Sequence, residues 1–89
     1  MDKKVVVLID SGINKLDFCD CLVGGKHFYV EENYVCCDDS FDDDNGHGSA
    51  CAYTIKSIFP ETQFYIIKIL DQNLETVYPV LEAALEHCM

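Results

Sequence analysis

Val5-Val6-Val7-Leu8-Ile9-Asp10-Ser11-Gly12-Ile13 joins an unbroken aliphatic run to a turn. The run, residues 4–9, has no polar alternation, which is the pattern of a strand buried on both faces of a parallel sheet. Asp10-Ser11-Gly12 is a turn signal at its carboxyl end. In open parallel sheets, ligands and catalytic groups collect at that end of the strands. Further along, Asn45-Gly46 opens a helix whose apolar positions Cys51, Ile55 and Ile58 recur at helical spacing until Pro60 stops it. Residues 64–70 read as a second buried strand. Strand, helix and strand make one βαβ unit, so the expected fold is α/β, a parallel sheet with flanking helices.

The rest is less patterned. Residues 13–45 read as irregular, with a turn at Gly24-Gly25 and short strands at 27–30 and 34–37. Thr76 is expected to cap a last helix, with Pro79 in its first turn. Tyr78, Leu81, Leu85 and Cys88 form that helix's apolar stripe, either as core or as a surface left open. Asp38, Asp39, Asp42, Asp43 and Asp44 put five carboxylates in the seven residues of the 38–44 loop. That loop is expected to be solvated, with weak calcium binding through clustered oxygens as its functional alternative.

The chain has 89 residues, enough for one small domain, and 6 basic against 16 acidic side chains give a net charge of −10. Such a surface repels phosphate backbones and anionic bilayers, so neither nucleic acid nor a membrane is an expected partner. At 49% hydrophobic residues the chain is too apolar for a disordered acidic tail. No apolar run approaches the roughly 20 residues of a membrane span. Lys3 and Lys4 precede the first apolar run, which is too short for a secretory leader, so the expected location is cytoplasmic. Six cysteines could pair in many ways. Their placement and the missing leader favour reduced, mostly buried thiols, and Cys19-x-Cys21 and Cys36-Cys37 lack the gap of paired zinc ligands.

Asp43-Asp44-Asn45-Gly46-His47-Gly48-Ser49-Ala50-Cys51-Ala52 is the second informative stretch. An Asp at a strand's carboxyl end can be desolvated yet held by turn amides. A His in the first turn of a helix, between two glycines, can point at it. The carboxylate then fixes the imidazole tautomer and stabilises the imidazolium, which is the Asp–His part of a Ser-His-Asp triad.

On these residues the chain resembles the subtilases, the subtilisin-like serine peptidases. Ile9-Asp10-Ser11-Gly12-Ile13 is similar to the family's Asp box, and Asn45 through Ala52 to its His box, with Ser49 in place of Thr. Pro60 through Leu70, ending in Ile67-Lys68-Ile69-Leu70, resembles the family's next strand, and Glu82-Ala83-Ala84-Leu85 the start of its next helix. Gly24-Gly25 falls where many subtilases have a glycine pair. The order Asp before His is the subtilisin order. The resemblance makes residues 1–89 an N-terminal portion of a subtilisin-like peptidase domain, a partial sheet. It implies that Asp10 orients His47, that His47 is the general base, and that the substrate is an extended polypeptide, with no organic cofactor.

The family's nucleophile box lies far downstream, and Ser11, Ser40, Ser49 and Ser57 do not occupy its position. The polypeptide alone is therefore expected to be inactive, and to associate with a complementary C-terminal subtilase segment or with itself. Asp44 is placed where basic-selective members carry an acid near the substrate pocket. Tyr53 stands where the family has a small, close-packed residue, which implies a helix set slightly further out. The alternatives are a non-catalytic subtilase-like module that binds peptides or a partner, and a phosphate-binding α/β domain. The latter lacks any Gly-x-Gly-x-x-Gly or Gly-Lys-Ser/Thr signature. His27 and His87 belong to no motif.

Overall fold

The structure, a computed structural model, describes residues 4–88; Lys3, part of the basic flank noted above, lies outside them. Seven elements follow in order: β1 (Val5–Asp10), α1 (Lys15–Phe18), β2 (Leu22–Glu31), β3 (Tyr34–Asp38), α2 (His47–Ile58), β4 (Gln63–Lys68) and α3 (Tyr78–Cys88). The four strands form one sheet in the order β1-β4-β2-β3. Strand β4 runs parallel to both neighbours, from Val5 opposite Gln63 to Asp10 opposite Lys68 on one side, and from Leu22 opposite Phe64 on the other. Only the β2–β3 hairpin is antiparallel. The result is the expected α/β class with a mostly parallel sheet.

Strand β4 is central because its sequence suits burial on both faces. Phe64 and Ile66 point into a cluster with Ile13, Phe18, Cys21, Phe41 and Ala52, on the side covered by α2. Ile67 points the other way, into Phe28, Val80 and Ala84 under α3. This period-two division places a residue of β4 in each core. Full burial of such side chains stabilises by about 1.5–3 kcal/mol each.

Strand β1 departs from its reading as doubly buried. It is an edge strand, and Val5 and Val7 are 52% and 46% exposed. Helix α3 packs over β2 and β3, and on that face of β1 Ile9 packs against the cluster under it while Val5 and Val7 stay exposed. An aliphatic run signals a parallel sheet but does not distinguish its centre from its edge.

Gly24-Gly25 is a strand device and not a turn. Both lie inside β2, where the register against β4 shifts between Leu22 and Gly24. A Cβ on Gly25 would stand 2.6 Å from the Ile66 carbonyl oxygen and 2.8 Å from the Phe41 ring. The irregular stretch thus holds the short helix α1, a ten-residue strand and β3, with β2 turning into β3 through Glu32 and Asn33 at φ +51° and +71°. Two left-handed residues suit the tight turn of a hairpin, and without a glycine there the turn carries no obvious signal.

Both long helices are rotated from the stripes expected for them. The buried residues of α2 are Gly48 and Ala52, with Ile55 packed beside them, whereas Ile58 is 63% exposed. Close approach, more than bulk, selects this face: a Cβ on Gly48 would lie 2.1 Å from the Gly12 carbonyl oxygen. Tyr53 sits at the surface against the Phe18 ring, centroids 4.7 Å apart, and its hydroxyl donates to Asp17. In α3 the buried residues are Val80 and Ala84, while Tyr78, Leu85 and Cys88 are exposed, so the stripe is open surface. That helix begins one residue later than a Thr76 cap would place it, with the Val80 and Leu81 amides donating to the Val77 carbonyl.

All six cysteines are free, but only Cys21 is buried; the expectation of mostly buried thiols fails because Cys19, Cys37 and Cys88 are exposed and Cys36 and Cys51 are half-buried. Among the described residues no helix is long and apolar enough to cross a membrane.

Gly48→Ala tests the close approach. Alanine gains about 1 kcal/mol of helix propensity, but the clash is with backbone that cannot swing aside. A net loss of about 2 kcal/mol in unfolding free energy is expected from urea denaturation. Equal or greater stability in the variant would contradict the packing.

Candidate active site

Asp10 is the last residue of β1 and 7% exposed. Its Oδ1 accepts the Ser11 amide at 2.7 Å. His47 is the first residue of α2, and its Nδ1 lies 2.9 Å from Oδ1 and 3.0 Å from Oδ2 of Asp10. A carboxylate only accepts, so the ring nitrogen facing it carries the proton. The imidazole is 52% exposed and the carboxylate 10%. A buried acceptor therefore orients a ring whose other nitrogen is free to work at the surface. The structure brings together two of the three residues singled out in the sequence.

The turn carrying His47 is built locally. The Asn45 side-chain oxygen accepts the His47 amide at 3.1 Å, and the Asn45 amide nitrogen donates to the Gln72 carbonyl at 2.8 Å. Gly46 precedes the helix at φ +102°, a conformation that other residues adopt only with strain.

Asp43 is the functional residue that the sequence reading passed over as part of a solvated loop. Its Oδ1 accepts the Ser11 hydroxyl at 2.7 Å, the Gly46 amide at 2.7 Å and the Asn45 amide at 3.1 Å. Its Oδ2 accepts the Ser49 amide at 2.9 Å and the Ser49 hydroxyl at 2.7 Å. The Ser11 oxygen in turn accepts the Gly48 amide at 2.9 Å, and the Ser49 oxygen accepts the Asn14 amide at 3.0 Å. One carboxylate thus ties the residue after Asp10 to the residues on both sides of His47. Partial burial opposes its ionisation, but the Gly46 amide, the Ser49 and Ser11 hydroxyls and the Ser49 amide outweigh it and hold the carboxyl well below the usual range. An Asp just ahead of a helix start, with a Ser in the first turn, is the legible trace of this device.

Asp44 is not hydrogen-bonded to the Asp10–His47 pair. Its carboxylate meets the Lys68 ammonium at 2.7 Å, and Lys68, only 4% exposed, also donates to the Asp42 carbonyl. Asp39 meets Lys26 at 2.6 Å, Asp42 approaches Lys15 at 4.0 Å, and Asp38 faces His27 at 3.3 Å. The 38–44 loop is therefore pinned by side chains from other elements and is not simply solvated. His87 lies away from the motif residues, with Nε2 2.9 Å from the Tyr65 hydroxyl.

Cys51 follows His47 by one helical turn, with Sγ 3.7 Å from Nδ1. Burial first, then the Asp10 charge and hydrogen bond and the more distant Asp43 charge, push its thiol up. Among the described residues no serine hydroxyl bonds to His47: Ser11 and Ser49 are committed to Asp43, and Ser57 donates to the Thr54 carbonyl. An open, mostly apolar groove runs beside the pair, lined by Leu8, His47, Ala50, Cys51, Thr54 and Ile55.

No family model matches the chain. Over an alignment that covers 76% of the chain it is 39% identical to the Minor extracellular protease Epr of Bacillus subtilis (strain 168). The matched region is 11% of that protein, so the chain spans about a tenth of the length of the curated relative it matches.

Asp43→Asn keeps the shape but turns an anion accepting five hydrogen bonds into a neutral amide. A loss on the order of 2 kcal/mol at pH 7 is expected in urea unfolding. The native carboxyl titrates below the unfolded one, so its contribution is complete above about pH 4, the unfolded value. It is lost progressively as pH falls below that toward the folded value. The gap between wild type and variant should therefore narrow from pH 4 downward. A gap independent of pH would contradict the ionised latch.

Proposed function

We propose that this chain is the Asp- and His-bearing portion of a subtilisin-like serine endopeptidase domain, a subtilase. The observation that carries the reading is the His47 Nδ1 contact with both Asp10 oxygens, at 2.9 and 3.0 Å. The order Asp then His, the parallel β1-β4-β2 arrangement and the likeness to a protease support it. Asp10 orients and electrostatically supports the ring. His47, through Nε2, takes the proton from a serine supplied by sequence beyond these residues and later returns it to the leaving amine. The serine oxygen attacks the scissile carbonyl of an extended polypeptide, and water releases the acyl-enzyme. Asp44 stays on the rim as a carboxylate for a basic substrate side chain; its side-chain exposure of 61% supports that role even with Lys68 alongside. The open edge of β1 and the exposed Val5 and Val7 support association with a complementary segment.

The test supplies that segment, as downstream coding sequence or a co-expressed C-terminal half, and applies a fluorophosphonate probe. The 89-residue chain alone should not label, and the completed domain should. Asp10→Asn should slow labelling by about 10⁴-fold, and His47→Ala should abolish it. Labelling indifferent to both changes would refute the reading.

A further inference from the structure

Cys51 lies beside the Asp10–His47 pair and takes no part in the proton relay. One donor atom from each of Asp10, His47 and Cys51 lies within 4.8 Å of the others. A carboxylate oxygen, an imidazole nitrogen and a thiolate sulfur together form a donor set suited to borderline-soft divalent ions. The spacing also fits. Zinc bonds of about 2.0 Å to nitrogen and about 2.3 Å to sulfur span the 3.7 Å between Nδ1 and Sγ at roughly 115–120°. Nitrogen and oxygen bonds of about 2.0–2.1 Å span the 2.9 Å between Nδ1 and Oδ1 at roughly 90°. The half-exposed ring and the open groove leave a fourth position to water.

We propose that Asp10, His47 and Cys51 form a binding site for a zinc-class divalent cation, which takes the place of the proton held between His47 and Asp10. The ring proton moves from Nδ1 to Nε2, so that Nδ1 offers its lone pair. The Cys51 thiol proton leaves to solvent, and sulfur, nitrogen and carboxylate oxygen bind the ion with no change of oxidation state. The charges facing that thiol are Asp10 and Asp43, with the His47 imidazole one turn away; burial and these two anions push the thiol up. Binding stands on the geometry alone. Its consequence rests on the peptidase reading: with its proton on Nε2, His47 cannot accept one from a nucleophile, so the cation is a reversible off-switch.

The test is titration of the reduced 89-residue chain with cadmium, followed by the thiolate-to-cadmium charge-transfer absorbance, and with zinc by calorimetry. One equivalent of a cadmium band is expected, lost in Cys51→Ser and kept in a Cys36→Ser/Cys37→Ser variant. Zinc affinity should fall at least about tenfold in Asp10→Asn and His47→Gln, with far-UV circular dichroism confirming that each variant is folded. Independently of any variant, zinc should protect Cys51 of the wild-type chain from alkylation, read by peptide mass. A band that persists in Cys51→Ser, affinity indifferent to Asp10 and His47, or no protection of Cys51 would overturn the proposal. Binding without labelling of the completed domain would sink the peptidase reading alone, and labelling without binding would sink this inference alone.

Discussion

The Asp43 carboxylate holds the site's geometry. It joins the turn after β1, through Ser11, to the first turn of α2, through Gly46 and Ser49. Directly beneath, Gly48 meets the Gly12 backbone with no room for a side chain. Magnitudes decide the direction of cause. Hydrogen bonds to a charged group contribute about 1.5–3 kcal/mol each, though not additively. The Asp10–His47 contact is one such bond, from a half-exposed ring, against the five that Asp43 accepts. The pair does not hold the two segments together; the latch and the glycine contact do, and the pair is what they position.

Much of this was legible in residues 5–13 and 45–52. The aliphatic run marked a parallel strand, Asp10 its carboxyl end, and Asn45-Gly46 the helix start that carries His47. The α/β class and the Asp10–His47 contact follow from those positions. What escaped reading depends on close approach and long-range pairing. Gly25 sits in a strand because the Phe41 ring and the Ile66 carbonyl crowd it, and neither neighbour is near it in sequence. The α2 face runs through Gly48 and Ala52 because small residues let the backbones meet, whereas hydrophobic periodicity weighs only bulk. Lys68 lies within a legible strand motif, but its pairing with Asp44 spans 24 residues of chain.

The acidic loop shows the same lesson in electrostatic form. Five carboxylates in sequence suggest mutual repulsion and solvation. In the fold Lys26, Lys15 and Lys68 each meet one of them, and Asp43 turns inward to backbone and hydroxyl donors. Charge runs are dispersed by topology, and the member that turns inward becomes structural. Helical spacing shows Cys51 only as one apolar residue of a helix face, yet its place one turn after His47 brings its sulfur beside the pair.

The most direct measurement is the tautomer of His47, read from ¹⁵N-labelled imidazole by NMR at neutral pH. The account requires the proton on Nδ1, shared with Asp10, giving a downfield ring-proton resonance coupled to that nitrogen and absent from Asp10→Asn. A ring protonated on Nε2 alone, or an Nδ1 signal unchanged by that substitution, would contradict it.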